Sequence, residues 1–371
     1  MGGDARTMGG GERISIELKD VSKAFGSLFA LRPMSLSVKK GEFLTLLGPS
    51  GSGKSTLLNL ISGGYPASSG QILLNDRDIT DAPPRERGIG MVFQNYALMP
   101  HYSAFDNVAY PLRVRGVPKA ELRAKVMDAL ARVGLAGLEA RKPKQLSGGQ
   151  QQRVGIARCI VYSPDIIMMD EPLGALDKNL REQMQDEIKS LHRDLGTTFI
   201  YVTHDQEEAL NMSDRICLMN HGQIVQLGTP DDLYFRPINR FAAQFIGESN
   251  LLTGTIDDAG VFRTQHGIAL DLPPGAAIAR GEPCDVMLRP ERVRIEAMGQ
   301  GAAPAAGTQP GTVTGVSFIG SMMTLAVTIA EGFVLKAKST SLPSQSRYRP
   351  GDAVSLRWDP GDLVVLGKAA D

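Results

Sequence analysis

Apolar positions follow two different rules along this chain. Up to about residue 245, short apolar runs alternate with stretches of helical period; after Asn250 the helical period disappears. Phe43–Leu47 and residues 166–169 and 199–202 are almost wholly apolar runs of strand length, as expected of buried strands. After Pro118, the positions Leu122, Val126, Leu130 and Val133 share one helical face, and Gly134 suits a helix end. Leu180, Met184, Ile188, Leu191 and Leu195 repeat that stripe before Gly196. Both stripes are of the kind that packs into a core. The alternation predicts an α/β domain over residues 13–245. Further on, short alternating segments at 261–264, 268–272, 286–288, 313–319, 323–329, 334–338 and 354–358 are separated by turn residues such as Arg349-Pro350-Gly351-Asp352. They predict a small all-β barrel or sandwich over residues 246–371. Thr229-Pro230-Asp231-Asp232 has the chemistry of a helix start. Residues 1–12 are expected to be a flexible Gly-rich tail, and residues 297–311, low in complexity, a mobile loop.

Composition narrows the class without choosing the chemistry. The 371 residues suit two domains. Lys plus Arg and Asp plus Glu number 40 each, so bulk charge supplies no argument for a nucleic-acid partner. No apolar run approaches the roughly 18–20 residues of a membrane helix, and the N-terminus lacks the apolar core of a signal peptide. The expectation is a chain neither exported nor membrane-spanning by itself. Cys159, Cys217 and Cys284 are scattered, which argues against a disulfide framework or zinc site and for small buried hydrophobes.

Three segments carry candidate chemistry. Gly48-Pro49-Ser50-Gly51-Ser52-Gly53-Lys54-Ser55 has the spacing of a phosphate-binding loop, after a predicted strand and before a predicted helix. Glycines let the backbone close on phosphate oxygens, and the amides from Gly51 to Thr56 would turn inward. Lys54 would reach the outer phosphates and the Ser55 hydroxyl would hold Mg²⁺. Residues 166–169 run into Asp170 and Glu171. Carboxylates at a strand's end suit a metal ligand and a group directing water, although a strand can also simply end in solvated acids. Leu146-Ser147-Gly148-Gly149-Gln150 precedes an apolar, helix-compatible segment, where Ser147 can cap and the glycines free amides for an anion. Alone, this last pattern equally describes an ordinary capped helix.

The order of phosphate loop, Gln94, LSGGQ, IIMMDE, Leu176-Asp177 and His204 resembles the ABC ATPases over residues 13 to about 245. The resemblance implies a P-loop NTPase fold and two subunits stacked head to tail, each ATP held between one P-loop and the other subunit's LSGGQ. Ser147, Gly149 and Gln150 would then serve the partner's nucleotide. Gln94 would sense Mg²⁺ and the attacking water, Asp170 would hold Mg²⁺, and Glu171 would direct the water. His204 would contact the γ-phosphate, Asp177 would cross the dimer interface, and Phe25 would stack on adenine where the family often has Tyr. Residues 96–101 are apolar for a loop; they suit either the helical lobe's core or a docking surface, and the resemblance favours docking of a permease.

GTPDDLYFRPINRFAAQFIGESNLL followed by LRPERVRI is similar to importer ATPases with an appended OB-like, TOBE-type domain. FIGESN and ERGIGMVFQNYALMPH look closest to the polyamine/opine/phosphonate group. This implies a peripheral ATPase on the cytoplasmic face of the inner membrane, working with permease subunits and a solute-binding protein, on a polyamine-like solute. Sugar, iron(III) or sulfate import, or a soluble ABC protein with a non-transport role, stand as alternatives. A single phosphate loop and no long heptad run speak against the last.

Overall fold

The computed structural model describes residues 13–174, 176–258, 261–273, 281–298, 307–341 and 348–366. The tail at 1–12 and the middle of the 297–311 segment lie outside them. The chain divides into two units, one ending at Pro230 and the other beginning at Asp231.

In the first unit, β1 (Ile14–Phe25) and β2 (Leu28–Lys39) form a long hairpin. β3 (Phe43–Leu47) leads through the glycine loop into α1 (Lys54–Ser62). β4 (Ser69–Leu74) and β5 (Arg77–Asp78) join the hairpin in a four-stranded antiparallel sheet, β2-β1-β4-β5. There follow β6 (Ile89–Val92), α2 (Ala104–Val114), α3 (Lys119–Arg132), α4 (Gly148–Ile160), β7 (Ile166–Asp170), α5 (Lys178–Leu195), β8 (Thr198–Thr203), α6 (Gln206–Met212), β9 (Arg215–Asn220) and β10 (Gln223–Gly228). The second sheet runs β10-β9-β3-β8-β7-β6, parallel apart from β10.

Period-two alternation sends the sheet's side chains into two cores. Phe43, Ile167, Met169, Phe199 and Tyr201 pack with residues of α2, α3, α4 and α5. Leu44, Leu46, Met168, Ile200 and Val202 pack with α1 and the antiparallel sheet. All six residues of β8 are buried, which is why its middle, residues 199–202, reads as an unbroken apolar run. Each large side chain buried there contributes about 1.5–3 kcal/mol. The helix stripes are bounded as their sequence predicts. α3 follows Pro118, and Gly134 beyond it is left-handed. α5 starts on Asp177 and stops at Gly196, whose left-handed backbone lets its N–H close on His192 O.

The second unit holds α7 (Pro230–Phe235) and α8 (Arg240–Phe245) and two five-stranded antiparallel sheets. The first is β13-β12-β11-β14-β20, from β11 (Asn250–Ile256), β12 (Phe262–Thr264), β13 (Ala269–Leu270), β14 (Pro283–Leu288) and β20 (Leu363–Leu366). The second is β15-β19-β16-β17-β18, from β15 (Arg294–Ala297), β16 (Gln309–Ile319), β17 (Met322–Ala330), β18 (Phe333–Thr340) and β19 (Ala353–Arg357). Leu252, Phe262 and Val286 of one sheet share a core with Leu325, Leu335 and Val354 of the other.

Two expectations change. The division falls at Pro230, ahead of the expected 245, because α7 and α8 pack with the β-strands: Ala243 is buried with Met287 and Leu366, and Arg289 donates to Tyr234 O at 2.6 Å and Glu248 O at 3.1 Å. The segment 297–311 is not loop throughout, since Ala297 ends β15 and residues 309–311 pair with β19. Ladder pairing uses the backbone, so Gln-Pro-Gly can open a strand that its side chains do not announce.

Candidate active site

Parallel strands present their carboxyl ends along one edge of a sheet, the place where such folds bind ligands. The order β3-β8-β7-β6 brings four segments to that edge: the glycine loop after β3, His204 after β8, Asp170 and Glu171 at the end of β7, and Gln94 after β6.

Packing, as well as the turn, dictates the glycines of the loop. A Cβ on Gly48 would lie 2.2 Å from Met219 O, and one on Gly53 would lie 2.6 Å from Leu31 Cδ2. Gly51 is left-handed, φ +80°, with nothing within 4 Å of where its Cβ would stand, so the loop is open on that side. α1 begins at Gly53 in the left-handed region with no side-chain cap, which leaves its first amides without a side-chain acceptor. Ser50, Gly51 and Ser55 are exposed; Ser52 and Lys54 are buried. Thr56 is half-buried in the first turn of α1. The Lys54 ammonium curls back onto its own loop, donating to Gly48 O at 2.8 Å and Pro49 O at 3.0 Å. Burial lowers its pKa, against the opposing pull of Glu171 and Asp170.

Ser55 Oγ donates to Asp170 Oδ1 at 3.4 Å. Burial and the neighbouring Glu171 raise the Asp170 pKa, offset by Ser55 and Lys54. His204 Nδ1 lies 3.2 Å from Glu171 Oε2. Glu171 has a left-handed backbone, φ +43°, unusual for a residue with a side chain, and its N–H bonds to Val202 O at 3.0 Å. Gln94 is exposed, and behind it Tyr96 and Ala97 are also left-handed. Arg158 of α4 pins that strained turn by donating to Tyr96 O at 2.8 Å and Ala97 O at 2.7 Å.

The other predicted residues stand apart from this cluster. Ser147 caps α4, its Oγ accepting from Gln150 N at 3.3 Å while Gln150 Oε1 accepts from Ser147 N at 3.0 Å. Among the described residues, its hydrogen bonds stay within that helix start. Gly149 is buried, and a Cβ there would press on Leu180 at 3.1 Å. Asp177 is exposed and caps α5 through Leu180 N at 3.0 Å. Phe25, half-exposed at the end of β1, meets the edge of Tyr65 with ring centroids 5.7 Å apart, and Lys23 Nζ lies 5.0 Å from the Phe25 centroid. Tyr65 and Arg158 carry no sequence signal of their own, because each acts through a residue remote in the chain.

A polyphosphate fits this arrangement. Open amides at an uncapped helix start, a buried ammonium and an exposed hydroxyl converge beside two carboxylates. Among the described residues no group of three or more His, Cys, Asp or Glu side chains could hold a metal. The hard oxygens of Ser55 and Asp170 suit a divalent cation that also takes phosphate oxygens.

The ABC transporter family model matches residues 31–174 and the TOBE domain model residues 286–366. The spermidine/putrescine import ATP-binding protein PotA of Rubrobacter xylanophilus is 44% identical over 96% of this chain and 95% of its own. PotA of Acetivibrio thermocellus is 43% identical over 96% and 97%. Among solved structures, the ATP-binding cassette MJ0796, a dimer in a post-hydrolysis state bound to ADP and Pi, superposes with a TM-score of 0.53 at 34% identity, covering 58% of this chain and 98% of that one. Among the described residues no helix is long and apolar enough to cross a membrane.

Proposed function

Since the chain belongs to the family of ABC importer ATP-binding proteins with a C-terminal TOBE domain, we propose that two copies sandwich ATP head to tail and energise uptake of spermidine or putrescine. The chain is an ATPase coupled to transport. The finer reading rests on one observation above the others, the gathering of Lys54, Ser55, Asp170, Glu171 and His204 at one sheet edge.

Each residue has a task there. The loop amides from Gly51 to Thr56 and the Lys54 ammonium bind the phosphates, and Phe25 offers its ring to the base. Ser55, Asp170 and Gln94 would hold Mg²⁺, which neutralises phosphate charge when bound. Glu171 takes the proton of the attacking water, and His204, within hydrogen-bond reach, orients that carboxylate in addition to contacting the γ-phosphate. Ser147, Gly149 and Gln150 serve the second copy's nucleotide, and Asp177 faces that copy. The chain sits peripherally on the cytoplasmic face of the membrane with permease subunits, supplied by a solute-binding protein. The second unit, residues 231–371, is its regulatory part.

Uptake tests the transport reading. Cells lacking this chain should lose accumulation of labelled spermidine or putrescine, regain it with the wild-type chain, and not with Glu171→Gln. Undiminished polyamine uptake in the deletion strain would refute the solute assignment while leaving the ATPase intact.

A further inference from the structure

One side chain outside every motif joins the turn carrying Leu176 and Asp177 to the strand end carrying His204. Arg181, in the first turns of α5, reaches back beneath both. Its Nη2 donates to Leu176 O at 3.1 Å and its Nη1 to Asp205 Oδ2 at 3.3 Å. Its Nε is buried, makes no hydrogen bond, and lies 3.9 Å from Glu208 Oε1. Glu208 is itself buried, with Oε2 accepting from Tyr201 Oη at 2.8 Å and Thr203 Oγ1 at 2.7 Å. Thr203 Oγ1 in turn accepts from Asp205 N at 3.0 Å. Asp205 caps α6 through Glu207 N and Glu208 N. The residues on both sides of His204 are therefore held from below, and the same guanidinium holds the carbonyl just before Asp177.

We propose that Arg181 is a positioning residue: it makes the Leu176–Asp177 turn and the Thr203–Asp205 loop one body, so that a second copy engaging Asp177 sets His204 and, through it, Glu171. This rests on the head-to-tail reading above. An arginine suits the task because its planar fork serves two acceptors in different directions, which a lysine ammonium on a flexible stem does not reproduce.

Removing the guanidinium also strands the buried Glu208 carboxylate, so a loss of activity alone would not separate positioning from stability. Three variants separate them. In Arg181→Met with Glu208→Gln the stranded charge is gone; it should melt near wild type and bind ATP within about twofold, yet turn over about 10²-fold more slowly, as a misplaced catalytic group does. Arg181→Met alone should melt lower, with the same loss of kcat. Arg181→Lys keeps a cation beside Glu208 and covers the case in which the methionine variants do not fold; its kcat should drop about tenfold at unchanged ATP affinity. Wild-type kcat in the double variant, or in Arg181→Lys, would overturn the proposal. His204→Ala, assayed alongside, keeps the two readings apart. If it retains full turnover, the role of His204 fails; if it is dead while the double variant is fully active, only the role of Arg181 fails.

Discussion

Two helices of the first unit begin at glycine-rich turns, and they treat their leading amides in opposite ways. α1 starts at left-handed Gly53 with no side chain on its amides, and Lys54 is tied down on its own loop. α4 starts at Ser147 with its end already closed, Ser147 and Gln150 capping each other. The first start is ready for an anion supplied from solvent. The second is satisfied by itself and must exchange an internal hydrogen bond for a ligand's, which costs little only if the ligand arrives already bound and oriented. In the proposed reading, the first start would capture nucleotide and the second would recognise nucleotide that a second copy presents.

The strongest way to break this comparison is to swap the defects. Ser147→Arg should leave ATP affinity within about twofold while cutting turnover by about 10²-fold or more, the scale of losing a charge-stabilising donor. Mixing it with Lys54→Ala subunits should restore turnover, because one intact loop then faces one intact LSGGQ. Equal loss of ATP affinity in both single variants, by calorimetry, would show that the two starts do the same work. A smaller effect is expected from Lys54→Ala alone. A charge-assisted contact contributes about 1.5–3 kcal/mol, so affinity should fall about 10- to 150-fold.

How much of this was legible in the sequence depends on range. The glycine loop, the capped start at Ser147 and the strand ending in Asp170 are local, and spacing carries each of them. The left-handed backbone of Glu171 is not local: Val202 O on the neighbouring strand holds it. Arg158 braces a loop sixty-odd positions earlier in the chain, and Tyr65 meets Phe25 only because the chain after α1 returns to pair with β1 as β4. Arg181 looks like one more charge on an amphipathic helix until Asp205 and Glu208 fold against it. The unit boundary was misplaced for a related reason. α7 and α8 have the helical period of the first unit but bury Ala243 against strands that come later.

The two units should also differ in a modest chemical test. Burial pushes the thiols of Cys159 and Cys217 up to about 12, while Cys284 in the second unit is only partly buried. At pH 8 a maleimide should label Cys284 first and the other two only on unfolding. A chain ending at Pro230 should resist labelling and keep its ATP affinity. Rapid labelling of that shortened chain would mean the first unit does not hold its core alone.

The composite site is most directly tested by light scattering on Glu171→Gln protein, in which the near-isosteric amide cannot act as base and bound ATP persists. With MgATP it should double in mass, and Glu171→Gln combined with Ser147→Arg should bind ATP yet stay a monomer. Dimerisation of that combined variant to the same extent would contradict the account, since the nucleotide would then be closing an interface without the α4 start.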